Sequence, residues 1–122
     1  MDHQLSQREL VIDCSTGDFQ INRIEMFPAG QHPILGPVDY GWLKFQQGLK
    51  TVTERGRKLQ TYQASQPPDV LTWGGGLLAG SRIPGTRRLV FCGYSPLWEG
   101  FYISSMGGAA YIMHRIGVDF VS

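Results

Sequence analysis

The chain has 122 residues, 42% of them hydrophobic, and a formal net charge of +1. That is the size of one ordinary globular domain, and the near-neutral balance argues against nucleic acid or an anionic membrane as a partner. No apolar run reaches the roughly 20 residues that span a bilayer, and Met1-Asp2-His3-Gln4 lacks the basic-then-apolar pattern of a signal peptide, so a cytoplasmic protein is expected.

Taken in chain order, Glu9–Asp13 and Phe19–Ile24 flank Cys14-Ser15-Thr16-Gly17-Asp18. The second run alternates apolar and polar residues, and the connection is built of turn formers, which predicts a β-hairpin. Residues 25–39 hold Pro28, Pro33 and Pro37 and read as an ordered loop. Val38–Gln47, with Tyr40, Trp42, Leu43 and Phe45, reads as a short helix or turn on the core. Thr51–Lys58 is polar and basic, a solvated surface segment. Pro67-Pro68 punctuates the chain before Val70–Trp73, a buried strand. A loop Gly74–Gly85 follows, then a strand Arg88–Cys92 that Ser95-Pro96 ends. Gly107–Ile116 carries apolar residues at three- and four-residue spacing, a helix with Gly117 as its C′ residue. Val118–Val121 starts a last strand, four residues before the chain stops, which suggests a truncated domain.

Glycine is abundant, 16 residues, and concentrates at 74–85 and 100–108, which predicts shaped loops on a folded core. Cys14 and Cys92 are expected to be buried free thiols. The cysteines and the histidines His3, His32 and His114 do not form the close pairs of a structural zinc site.

The chemistry gathers late in the chain. A helix beginning near Ser104–Ala110 would offer unpaired N–H groups and a partial positive charge, and Gly107 and Gly108 would open that end to an anion. Arg88 could reach the same anion as a charged donor. The competing reading is that the two glycines only permit close helix–sheet packing. Arg87 and Arg88 are adjacent on a strand, so they face opposite ways, one toward a ligand and one toward solvent. Gly74-Gly75-Gly76 lacks the Lys-Ser/Thr of a phosphate-binding loop and reads as tight backbone packing. No catalytic residue can be assigned from spacing.

The chain resembles the N-terminal part of the tungsten-containing aldehyde:ferredoxin oxidoreductases. The resemblance rests on Val11–Asp18, on Gly74–Gly85 with its Leu78-Ala79-Gly80-Ser81 and Pro84-Gly85, and on Arg88-Leu89-Val90-Phe91. It continues through Ser95-Pro96-Leu97, Ser105-Met106-Gly107-Gly108-Ala109-Ala110-Tyr111 and Gly117–Val121. With Val38-Asp39-Tyr40-Gly41 included, it leans toward the glyceraldehyde-3-phosphate:ferredoxin oxidoreductase branch.

That resemblance implies an α+β fold, mostly antiparallel, with one helix near the C-terminus: about half of a duplicated domain, here residues 1–122. It implies a tungstopterin in which two pterin dithiolenes hold the metal and magnesium bridges their phosphates. Arg88 would contact the pterin, together with the backbone at Met106, Gly107 and Gly108. The main-chain carbonyl of Ser105 would bind magnesium, a role indifferent to the side chain.

The parent enzyme would oxidise an aldehyde to an acid and pass electrons to ferredoxin. The iron–sulfur cluster cysteines, the second half-domain and the substrate channel are missing, so this chain is expected to be inactive alone and to hold the cofactor weakly. Its partners would be the remainder of the enzyme or a complementary subunit. The alternative is a non-catalytic module that self-associates, as a homo-oligomer, or docks on a partner. Glu99 sits where the family commonly has glycine, which predicts a different bend in that loop.

Overall fold

The computed structural model describes residues 5–55 and 69–122. The expected hairpin is present: β1 (Ser6–Ile12) and β2 (Phe19–Glu25) pair antiparallel from Ser6↔Glu25 to Ile12↔Phe19. Its turn is closed by the Asp13 carboxylate, which accepts the N–H groups of Ser15 (2.8 Å) and Thr16 (3.3 Å). A local side-chain bond of this kind replaces a backbone turn bond.

The segment read as a short helix or turn is the long helix α1 (Pro37–Arg55). Pro37 suits a first helical position, and the Asp39 carboxylate accepts the Leu35 N–H at 3.1 Å. Tyr40 and Phe45 are buried on the face that meets the sheet. Helix and sheet approach tightly at Gly41, where an added Cβ would lie 2.5 Å from the Cβ of Cys92. Of the basic surface segment, Thr51–Arg55 belongs to α1; residues 56–58, like Pro67 and Pro68, lie outside the described residues.

The rest of the sheet comes from β3 (Thr72–Gly74), β4 (Leu89–Ser95), β5 (Gly100–Met106) and β6 (Phe120–Val121), with helix α2 (Ala109–Ile116) between the last two. The strand order is β2-β1-β6-β3-β4-β5. The two-residue β6 sits in the middle, parallel to β1 and antiparallel to β3. The fold is therefore α+β and mostly antiparallel, with one helix near the C-terminus, as expected.

Three details differ from expectation. Gly100–Met106 is a strand, not a shaped loop; its seven residues pair fully with β4, from Leu89↔Met106 to Ser95↔Gly100. Phe101, Tyr102 and Ile103 favour a strand, and pairing with β4 carries it through Gly100, Ser104 and Ser105. The strand near Val70 begins at Thr72, and Arg88 stands one residue before β4. Cys14 is exposed in the hairpin turn; only Cys92 is buried, and both are free.

Alternation assigns the two sheet faces. Thr72, Cys92 and Phe120 face α1; Phe120 stacks on Tyr40 at 4.6 Å. Trp73, Leu89 and Phe91 face the other way and pack with Ala79, Ala110 and Met113, so α2 covers that side. It does not cover it all: Ile12, Phe19 and Ile21, which share that face at the β1–β2 end, are exposed.

Candidate cofactor site

The β4–β5 ladder brings the expected residues together. Leu89 pairs with Met106 and Val90 with Ser105. Continuing that antiparallel register by one residue sets Arg88 across from Gly107. Arg88, Ser105, Met106, Gly107 and Gly108 thus share one end of the hairpin, and all are exposed. Ser105 shares its face with Val90, and Met106 shares the opposite face with Leu89.

The helix start differs from the sequence reading. Ser105 and Met106 belong to β5, Gly107 and Gly108 form the link, and α2 begins at Ala109. Gly108 is the N-cap at φ 78°, a left-handed conformation that costs a residue with a Cβ roughly 1–2 kcal/mol. Glycine is required there by its backbone. Gly107 is different: its φ is ordinary, and a Cβ would meet nothing within 4 Å. The close-packing explanation therefore does not apply to either. It does apply to Gly74 and Gly75, where a Cβ would lie 2.5 Å from the Asp119 carbonyl oxygen and 2.9 Å from the Ala110 Cβ.

Two of the first-turn N–H groups are already used. Ala109 donates to the Gly107 carbonyl at 3.0 Å and Ala110 to the Arg87 carbonyl at 3.2 Å. The helix end is tied to the start of β4 rather than fully open. The two arginines divide as adjacent residues should, but Arg87 is engaged rather than simply solvated. The Arg87 guanidinium lies over the Tyr111 ring, 4.6 Å from its centroid, and Nη2 donates to the Ser81 carbonyl at 3.4 Å. The Arg88 guanidinium has no hydrogen-bond or ion-pair partner among the described residues.

Other residues settle into structural roles. His114 is 3.8 Å from the Asp119 carboxylate, and its ring fills the space a Cβ at Gly80 would need. Glu99, exposed in the β4–β5 turn, takes φ 49°. The residue thus adopts the left-handed backbone that favours glycine, and the turn closes on the Ser95↔Gly100 pair. Among the described residues no group of three or more His, Cys, Asp or Glu could hold a metal ion, and no helix is long and apolar enough to cross a membrane.

One polar cluster escaped the sequence reading. Glu9 is buried beneath α1, where Tyr40 Oη donates to Oε2 at 2.7 Å and Asn22 Nδ2 to Oε1 at 3.0 Å. Lys44 Nζ lies 3.2 Å from Oε2. Burial alone would raise the carboxyl, but the Tyr40 and Asn22 hydrogen bonds and the Lys44 charge outweigh it and hold Glu9 below its ordinary 4.5. Burial also pushes the Tyr40 phenol well above its ordinary range and the Cys92 thiol up to about 11. Glu9 ends the polar first half of β1, and nothing local signals that α1 will supply its partners.

The α+β fold is that of an oxidoreductase N-terminal domain by comparison with known proteins. The family described as aldehyde ferredoxin oxidoreductase, N-terminal domain, matches residues 10–122, and the chain belongs to it. The glyceraldehyde-3-phosphate:ferredoxin oxidoreductase of Pyrococcus furiosus is 46% identical over 66 residues, covering 52% of this chain and 10% of that protein. An uncharacterized protein of Methanocaldococcus jannaschii is 43% identical over 61 residues, covering 50% of this chain and 9% of its own length. The chain thus spans about a tenth of the curated relatives it matches. The active-site complex BamBC of benzoyl coenzyme A reductase, solved with 1,5-dienoyl-CoA, shares the fold with a TM-score of 0.55 and 21% identity. The match covers 96% of this chain and 17% of that one.

Proposed function

We propose that this chain is the pterin-cofactor-binding portion of an aldehyde:ferredoxin oxidoreductase, inactive without the remainder of the enzyme. The reading is carried by one observation: the β4–β5 register gathers Arg88, Ser105, Gly107 and Gly108 at one end of the hairpin, with the Arg88 guanidinium unpartnered among the described residues. The donor set fits a phosphate-bearing pterin. An exposed guanidinium supplies charge and paired donors, and Gly107 leaves open space where a side chain would stand.

In this reading Arg88 binds the anionic end of the pterin. The Gly107–Gly108 backbone lies against it, and the Ser105 carbonyl offers a hard oxygen to magnesium. The tungstopterin itself, when bound, supplies the oxidation chemistry, with electrons leaving toward ferredoxin. The residues of this chain orient and neutralise; none is proposed to move a proton or attack a substrate. The iron–sulfur ligands, the second half-seat and the substrate channel would belong to the remainder of the enzyme or a complementary subunit. Arg88→Ala tests the seat: the unaltered chain should bind inorganic pyrophosphate and the variant should not. Elemental analysis tests the half-seat, which should retain no stoichiometric tungsten alone. Tungsten at one per chain would refute that part.

A second reading has its own support. Ile12, Phe19 and Ile21 form an exposed apolar row on the sheet face beside α2's cover. Such a row suits contact with another protein surface, including a second copy of the chain. Light scattering after size exclusion decides whether the isolated chain self-associates. A monomer at all concentrations counts against it.

A further inference from the structure

Arg87 and Arg88 are neighbours with different fates, and the difference is organised around α2. The Arg87 side chain lies over the Tyr111 ring, with its guanidinium carbon 4.6 Å from the centroid. Its Nη2 reaches the Ser81 carbonyl at 3.4 Å, and its own carbonyl accepts the Ala110 N–H at 3.2 Å. One residue therefore touches the loop before β4 and both backbone and side chain of α2's first turn.

The surrounding parts are braced as well. Thr86 Oγ1 donates to the Ile83 carbonyl at 2.8 Å and lies 3.3 Å from Ser81 Oγ, which accepts the Ile83 N–H at 3.2 Å. Ala110 is fully buried, and Gly75 has no room for a Cβ against it. Tyr111 is held from a second direction in sequence, because Arg115 Nη1 donates to its hydroxyl at 3.2 Å. The exposed Arg87 guanidinium is engaged by Tyr111 and Ser81, while the next guanidinium has no partner among the described residues.

We propose that Arg87 is a positioning residue. It locks the first turn of α2 to the start of β4 and so holds Arg88 and the Gly107–Gly108 backbone at a fixed separation for an anionic group. This rests on the reading of that rim as the cofactor's anion seat. Arg87 does not touch the anion; it acts through Ala110, Tyr111 and the chain direction it gives to Arg88. The Arg87–Tyr111 contact is a cation–π pair, whose strength needs the aromatic face and not the hydroxyl.

The test uses the full chain, amide hydrogen exchange and titration with inorganic pyrophosphate. In Arg87→Ala the Ala110 amide should exchange about fivefold faster, the factor a half-exposed cation–π contact supplies, and pyrophosphate binding should weaken by about the same factor. Tyr111→Leu keeps both arginine charges and should reproduce both effects, whereas Tyr111→Phe should reproduce neither. Arg88→Ala should abolish binding with Ala110 exchange unchanged. Arg87→Ala should also leave the salt dependence of the residual binding unchanged, because its charge is not on the ligand.

If Tyr111→Leu binds like the unaltered chain while Arg87→Ala does not, Arg87 acts by charge and the positioning role is overturned. Unchanged Ala110 exchange in both variants overturns it too, with the anion seat intact. If the unaltered chain binds no pyrophosphate, the seat itself is refuted, and the positioning role falls with it.

Discussion

Two polar regions of this molecule are built in opposite ways. Beneath α1, Glu9 is buried, and its two oxygens meet Tyr40, Asn22 and Lys44. At the far end of the sheet, Arg88 stands exposed beside Gly107 with no protein partner among the described residues. A buried charge must be satisfied internally, since an unpaired one costs several kcal/mol. An exposed charge can stay free, because water solvates it until a ligand replaces the water. The first pattern is that of scaffold, and the second leaves a charge facing solvent at the candidate site.

Breaking the scaffold cluster should have the largest effect. Tyr40→Ala removes a ring stacked on Phe120 and the Glu9 donor together. The expected loss is about 4 kcal/mol of unfolding free energy in urea, in the range of aromatic truncations. Tyr40→Phe keeps the ring and separates the two parts: about 2 kcal/mol should remain, the value of a hydrogen bond to a charged group. A loss below that range would mean that Lys44 and Asn22 suffice for Glu9.

Gly41→Val drives a side chain into Cys92 and Thr72, whose atoms lie within 2.8 Å of the added Cβ. Overpacking of this kind should cost about 3 kcal/mol or prevent folding. Thermal melts of the variant against Gly36→Ala, where a Cβ meets nothing within 4 Å, give the comparison.

The same cluster sets an acid limb. The folded-state pKa of Glu9 is lowered from 4.5, so its contribution is complete above about that pH and is lost as pH falls through the lower folded value. Unfolding free energy should therefore drop on acidification below 4.5. Glu9→Gln should flatten that limb. The flattening will be partial, because hydrogen bonds from the Ser15 side chain and from the Ser15 and Thr16 backbones also hold Asp13 low.

Changes at the rim should be milder. Gly108→Ala forces a Cβ onto φ 78° and should cost about 1 kcal/mol, read from the urea midpoint. Gly107→Ala, with open space and ordinary φ, should not move stability. The smallest stability effect is expected for Arg88→Ala: an unmoved urea midpoint with pyrophosphate binding lost. A destabilised Arg88→Ala would erase the contrast between the two regions.

The hairpin was legible because its signals are local. Alternation over Phe19–Ile24 and the Asp13–Gly17 turn chemistry need no other part of the chain. Helix α2 was legible for the same reason, from its apolar spacing and Gly117, which takes φ 81° as the C-cap. Strand β5 was not. The glycines at 100 and 107 masked the local strand signal of Phe101-Tyr102-Ile103, and pairing with β4 extends the strand through Ser104 and Ser105.

The geometry of the candidate site was half legible. Motif order singled out Arg88 and Ser105–Gly108, but the division of labour between Arg87 and Arg88 depends on Tyr111, which lies on a different element. The triple glycine split in a way spacing could not show. Gly74 and Gly75 are pressed against Asp119 and Ala110, whereas Gly76 has room around it.

By itself the sequence determined the domain class, the hairpin, helix α2 and the family, while Val38–Gln47 reads only as a short helix or turn. These follow from composition, from periodicity within a few residues, and from ordered motifs. Only the tertiary structure decided that Glu9 is buried and satisfied, that Phe120 and Val121 fill the middle of the sheet, and that Arg87 is engaged while Arg88 has no partner among the described residues. Each of these depends on groups far apart in the chain: Arg87 and Tyr111 across α2's start, Glu9 and Tyr40 across the first loop, β6 between β1 and β3. Burial and charge pairing are properties of what comes near in space, and the fold alone sets that distance.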